Sequence, residues 1–201
     1  MPKTKDQKRN TLKRAKDFQK RHYFNELKNS ILTFNNPILS QVSQDVAKED
    51  NLDFIEKMKK VLFVSEKGVG LAAPQIGVLK KVIVLDPKKE NKIKVMINPR
   101  ITEISQETNN VSEGCLSYPD IYVPVDRANK IKVEYFTTLF EKKEEEFIGF
   151  EARIIQHEVD HLIGVCLVGE VWKESKEKGL PVEEIIRIRK EEIEKAELSM
   201  K

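Results

Sequence analysis

Near residue 149 the spacing of apolar residues changes period. Before it, Ile131, Val133 and Tyr135 alternate with Lys132 and Glu134, the two-residue period of a strand buried on one face. After it, Phe150, Ile154, Ile155, Val159 and Leu162 recur at helical spacing, and Gly164 suits the end of that helix. A chain that places strands largely before helices segregates the two, which predicts an α+β domain. Upstream, Val82–Leu85 and Ile93–Ile97 are predicted strands, the second stopping at Asn98-Pro99. Leu52, Ile55, Met58 and Leu62 predict an amphipathic helix over 51–64, capped by Asn51 or Asp50. A helix is predicted over 181–198, starting at Pro181, and the run EKKEEE at 141–146 is expected as a solvated turn.

At 201 residues the chain has material for one ordinary domain with a real core. Its charge is uneven. Residues 1–30 carry ten Lys or Arg against Asp6, Asp17 and Glu26, a net +7, so residues 31–201 sum to −4. The expected organisation is a basic N-terminal extension or helix over 1–30, weakly helical in pattern from 3 to 32, and a single domain over 31–201. A basic arm suits contact with RNA, but no aromatic interleaving or known binding motif points to sequence-specific nucleic-acid recognition. No apolar run approaches 18 residues and no secretory signal is recognisable, so a reduced, cytoplasmic setting without membrane contact is expected. Two cysteines do not make a disulfide scaffold.

Two of the three histidines stand in QHEVDH, at positions 157 and 161. Four residues apart on a helix, their side chains share one face. Imidazole is a good ligand for zinc or ferrous iron, and Glu158 beside the first histidine can take a proton from a water held there. The pattern is not specific alone, since surface histidines on a charged helix also produce it. Cys115, in Gly114-Cys115-Leu116, adds a thiolate and leaves a fourth position open, the arrangement of a catalytic metal site. Cys166, in the apolar run Val165–Val168, reads as a buried small hydrophobe, and His22 lies in the basic leader. GVGLAAPQIG, from Gly68 to Gly77, is neither a phosphate loop nor a dinucleotide fingerprint. Its glycines permit close backbone approach, and Gln75 can donate two hydrogen bonds to a developing oxyanion or simply belong to a turn feeding a strand.

Together GVGLAAPQ (68–75), EGCLS (113–117) and QHEVDHLIG (156–164) resemble the three signature motifs of the peptide deformylases, in the family's order, over roughly residues 33–172. The form of Gly68–Gly77 with Pro74, and the long segment between the first two motifs, look more like the longer bacterial type of Gram-positive organisms and mycoplasmas. The resemblance implies mixed or antiparallel β-sheets around a central metal-binding helix. It implies Cys115, His157 and His161 as metal ligands, with Fe2+ in the cell and Zn2+, Ni2+ or Co2+ in purified protein. Glu158 is the implied general acid/base. The Gln75 side chain and the Leu116 amide are the implied oxyanion donors, and the backbone of Val69 and Gly70 would hold an extended peptide. Glu113 is implied as a structural partner, and Asp160 as a residue that fixes the site. The implied substrate is the N-formylmethionyl end of new polypeptides, with formate as product, for a monomer that associates transiently with the ribosome. Tyr118 and Arg153 depart from residues common in the family; if Arg153 lines the methionine pocket, its alkyl stem must do so.

Two other readings compete. A zinc peptidase would keep both histidines and Glu158 and draw a third ligand from Glu170, Glu174 or Glu177. An inactive deformylase-like protein would bind ribosomal RNA through residues 1–30.

Overall fold

The computed structural model describes residues 19, 21–34, 36–88 and 90–199, with the side chains of 190 and 193–199 excepted. Most of the expected N-terminal helix, residues 1–18 and 20, lies outside the described residues. Residues 21–29 form helix α1. Leu27 is buried in the core and Phe24 packs against it, so the end of the basic segment is docked on the domain.

Helix α2 spans Asp53–Val64. Its start is held by Asn51, whose Oδ1 accepts the Asp53 amide at 2.8 Å. Ile55, Met58, Val61 and Leu62 form its buried stripe. Seven strands follow the order β1 (Gly70–Ala72), β2 (Val82–Leu85), β3 (Lys94–Ile104), β4 (Thr108–Cys115), β5 (Tyr118–Ala128), β6 (Lys130–Phe136) and β7 (Lys142–Ile148). Three helices complete the chain: α3 (Phe150–Leu162), α4 (Leu167–Lys178) and α5 (Val182–Ser199). The strands form a five-stranded sheet in the order β1-β2-β3-β6-β7 and a separate hairpin β4-β5, every pairing between them antiparallel.

The run VIVL of β2 is apolar throughout because both sheet faces are covered. Val82 and Val84 face the cluster built on α2. Ile83 and Leu85 face α3, where Met96, Ile131, Val133, Tyr135 and Phe147 meet Ala152, Ile154, Ile155 and Leu162. Each such side chain contributes roughly 1.5–3 kcal/mol on burial, so the sheet holds α3 firmly. A third cluster joins the β4-β5 hairpin to α4 and α5 through Tyr118, Val123, Val125, Val168, Val171 and Ile185.

Three local expectations are corrected. The second strand does not stop at Asn98-Pro99. Asn98 takes φ +50, the register jumps between Ile97 and Arg100, and β3 continues beyond this bulge. The Asn98 side chain accepts the Val46 amide at 2.8 Å and donates to its carbonyl at 2.9 Å, which fixes the kink. The run 141–146 is mostly strand β7, not a turn. Its acids pair with lysines of other strands: Glu144 with Lys132 at 3.3 Å and Glu146 with Lys130 at 3.0 Å on adjacent β6, and Glu145 with Lys94 at 2.5 Å on β3 beyond it. Helix α4 was not signalled by the apolar pattern. Gly169 sits inside it, where an added Cβ would strike the Tyr118 ring.

Candidate metal centre and active site

The site forms where three elements meet. The hairpin brings Cys115 to its tip, with Leu116 and Ser117 as the two-residue turn. The register shift between Gly114 and Cys115 turns this sulfur inward. Glu113, two residues earlier, shares the same strand face and is buried with it. Helix α3 carries His157, Glu158 and His161, and it leaves through Gly164 at φ +76, where a Cβ would lie 2.7 Å from the Ser40 carbonyl group. Two residues on, Cys166 stands at the N-cap of α4.

The ligating atoms of Cys115, His161 and Cys166 all lie within 4.8 Å of one another and all three residues are buried. Cys115 Sγ is 3.3 Å from His161 Nε2. Two ligands of one tetrahedral ion, at the usual metal–sulfur and metal–nitrogen lengths, stand about 3.5 Å apart. A thiol and an imidazole at that spacing suit a soft or borderline divalent cation, so the residues present fit a metal. His157 stands one turn away, its ring 5.1 Å from that of His161. Its Nδ1 meets Glu113 Oε2 at 3.0 Å, which leaves Nε2 for a ligand role. The sequence paired the two histidines with Cys115, and the second cysteine of the cluster was missed. Only the apolar run around Cys166 was visible locally, and the contact joins residues distant in sequence.

Glu113 is the anchor of the site. Arg127 donates to it twice, at 3.0 and 3.1 Å, and Arg153 donates at 2.6 Å. Arg127 also donates to Asp160 at 2.6 Å, which ties the hairpin to α3 beside the histidines. Burial alone would raise the Glu113 pKa, but the bonds from His157 and Arg127 outweigh it and bring it from 4.5 to about 2. Arg153 lines the cavity. Its guanidinium is spent on Glu113, on the carbonyls of Val125 and Asn109 at 2.9 and 2.7 Å, and on the Asn109 side chain. Arg127 was not singled out from sequence, where nothing local marks it.

Burial pulls the His157 pKa down, yet the bond to Glu113 and the nearby carboxylates raise it overall. Burial, with His157 and Arg127 close by, holds His161 well below its ordinary value, so its imidazole is neutral. Burial raises Glu158 to about 7. Its Oε2 has no hydrogen-bond partner. A neutral imidazole and a carboxylate free to exchange a proton are the states that ligand and acid/base roles require.

Val69, Gly70, Gln75, Cys115, Leu116, His157 and Glu158 line a cavity of about 330 Å³. Gln75 is buried. Its Oε1 accepts the Ala72 amide at 2.8 Å, and its Nε2 donates to Ser117 Oγ at 3.2 Å and faces Cys115 Sγ at 3.6 Å. Gly70 lets β1 press onto α3. A Cβ there would lie 2.7 Å from Ile154 Cγ2 and collide with Glu158 Oε1. β1 ends the five-stranded sheet, so one side of its backbone is unpaired by strands. Tyr118 is accommodated by its hydroxyl bond to the Phe34 carbonyl at 3.2 Å, by an edge-on contact with the Phe34 ring and by a tilted contact with Trp172. Of the acids a zinc peptidase would need downstream, Glu174 pairs with Lys178 at 2.7 Å and Arg189 at 2.6 Å, and Glu170 and Glu177 are exposed. None of the three belongs to the donor cluster.

The family model described as Polypeptide deformylase matches residues 28–177. A peptide deformylase from a Thermotoga species is 43% identical over 143 residues, covering 70% of this chain and 85% of that protein. The crystal structure of peptide deformylase from Thermotoga maritima matches with TM-score 0.64 and 42% identity, covering 69% of this chain and 93% of that one. A peptide deformylase from Synechococcus elongatus, solved in complex with actinonin, matches with TM-score 0.65 and 31% identity, covering 76% and 89%. These relatives, from Thermotoga and Synechococcus, do not support the expected likeness to the longer Gram-positive and mycoplasma type. With the family model spanning most of the chain and the relatives agreeing with the fold, the chain belongs to the peptide deformylase family.

Proposed function

We propose that the chain hydrolyses the N-formyl group from the N-terminal formylmethionine of newly made polypeptides and releases formate. One observation carries this reading beyond family membership. An unpartnered, buried carboxylate, Glu158, shares a cavity with Cys115 and His157, beside an open sheet edge. We assign Cys115, His157 and His161 as the metal ligands and ferrous iron as the metal in the cell, with zinc, nickel or cobalt serving in purified protein. Bound there, the metal would acidify a water and polarise the formyl oxygen.

Glu158 takes the proton of the attacking water and later delivers it to the amine nitrogen as the carbon–nitrogen bond breaks. A carboxyl group held near pH 7 by burial can do both. The Gln75 side chain and the Leu116 amide donate to the oxygen on which negative charge develops. Losing one such donor costs about 3 kcal/mol of transition-state stabilisation. The extended substrate adds to β1 through the backbone of Val69 and Gly70, which gives affinity without reading each side chain.

Residues 1–30 form a basic extension of a metallohydrolase domain over 31–201, in a monomer that works in the cytoplasm and visits the ribosome transiently. Among the described residues no helix is long and apolar enough to cross a membrane. The decisive experiment is formate release from a short N-formyl-Met peptide by protein purified without oxygen and loaded with ferrous iron, beside Glu158→Ala. Release by wild type alone, with equal metal in both, supports the assignment. No release by folded, metal-filled wild type refutes it.

A further inference from the structure

The cysteine that the proposed mechanism leaves idle is the second sulfur of the donor cluster. Cys115 and Cys166 are the only two cysteines of the chain. The fold brings their sulfurs within 4.8 Å of each other, although they belong to different elements. We propose that Cys115 and Cys166 form a reversible intramolecular disulfide when a peroxide enters the site cavity.

The geometry assigns different parts to the two sulfurs. Cys115 lines the cavity and Cys166 does not, so Cys115 is the sulfur that a small oxidant meets. Cys166 stands behind it at the N-cap of α4, with extended φ −147 and ψ 103 and no capping bond from its side chain. Turning that side chain moves its sulfur away from the amides of Val168 and Gly169 at the helix start. Cys115 sits at an irregular point of the hairpin register, outside the even ladder. A disulfide needs its sulfurs about 2 Å apart, so the pair must close by at most about 3 Å, within reach of side-chain rotation and a small shift of two element ends.

The chemistry balances with hydrogen peroxide as oxidant. The Cys115 sulfur attacks one peroxide oxygen, the O–O bond breaks, and the departing oxygen leaves as water, giving a sulfenic acid. The Cys166 sulfur then attacks the Cys115 sulfur. The S–O bond breaks, the thiol proton joins the departing hydroxide, and a second water leaves. Two thiols and one peroxide become one disulfide and two waters, and an added dithiol reverses the change. Without a second sulfur in reach, the sulfenic acid goes on to sulfinic acid, which a thiol reductant does not restore. The disulfide rests on the placement of the two sulfurs. Its consequence, metal release and reversible loss of activity, rests on the reading of Cys115 as the sulfur ligand.

The test treats zinc-loaded full-length protein with hydrogen peroxide and follows intact mass, non-reducing peptide maps and zinc released to a chromogenic chelator. Wild type is expected to lose about 2 Da, to yield a peptide linking residues 115 and 166, and to regain both mass and metal binding after dithiothreitol. Folded Cys166→Ser or Cys166→Ala is expected to gain about 32 Da at Cys115, irreversibly. If neither variant folds, the wild-type map decides alone. Oxygen added at Cys115 in wild type, a link between two chains, or two thiols left unchanged would each overturn the proposal. A 115–166 disulfide with zinc retained upholds it and refutes Cys115 as a ligand, so the two readings fail separately.

Discussion

Replacing Glu113 by glutamine removes one negative charge from the point where two arginines and a histidine converge. Its carboxylate accepts from Arg127, Arg153 and His157, and it is buried. Its pKa falls from 4.5 to about 2 on folding. A carboxyl group with a lowered folded pKa stabilises the protein above its unfolded pKa, and that stability is lost as pH falls through the folded value. At 1.36 kcal/mol per pH unit the lowering corresponds to about 3 kcal/mol at pH 7. The same relation leaves about 1.4 kcal/mol at pH 3 and almost nothing below pH 2. Breaking a buried charge network by removing one partner costs roughly the same, 3–5 kcal/mol. The assay is urea unfolding of metal-free wild type and Glu113→Gln at pH 7 and pH 3. The difference between the two proteins is expected to be about 3 kcal/mol at the first pH and to shrink by half or more at the second. A difference equal at both pH values would show that the variant acts through packing and not through charge. No difference at pH 7 would refute the anchoring role altogether.

Glu158 carries the opposite sign. Its folded pKa is raised to about 7, so stability is full below pH 4.5 and declines as pH rises through 7, and metal-free Glu158→Gln should exceed wild type by about 3 kcal/mol at pH 8 and match it near pH 4. Urea midpoints that do not diverge with pH would contradict the burial argument. Cys115→Ala should lower bound metal per chain at least tenfold at limiting metal, measured by elemental analysis, and an unchanged ratio would remove Cys115 from the ligand set. In Gly70→Ala the new methyl group meets Ile154 and Glu158, and overpacking of this kind costs about 1–3 kcal/mol. Thermal unfolding with the wild-type midpoint would show that β1 can move aside.

The parts of the site that could be read in the sequence are those whose chemistry repeats at short range. His157, Glu158 and His161 fall on one helix because the apolar residues around them keep helical spacing; of these, Ile154, Ile155 and Leu162 are buried in α3, whereas Phe150 is exposed. The strand over 131–136 was legible for the same reason, since Ile131, Val133 and Tyr135 alternate into the core. The misses share a different cause. Glu144 to Glu146 look solvated because their partners are lysines on other strands, which no local window contains. Asn98 and Pro99 end a strand by propensity, but two hydrogen bonds from Asn98 to Val46 turn that end into a bulge. Arg127 and Arg153 acquire their role only when the hairpin folds over α3 and presents Glu113 to both. Cys166 is the sharpest case. By composition it is one more small apolar residue, and it does pack in the core beside Val168 and Tyr118. Its second role depends on the turn at Gly164 and on the reach of a hairpin tip from elsewhere in the chain. Motif spacing therefore locates the chemistry within one helix, while the neighbours that tune, protect or disable that chemistry are set by tertiary contacts. In this chain those contacts are made by a carboxylate shared among two arginines and a histidine and by a sulfur that no motif includes.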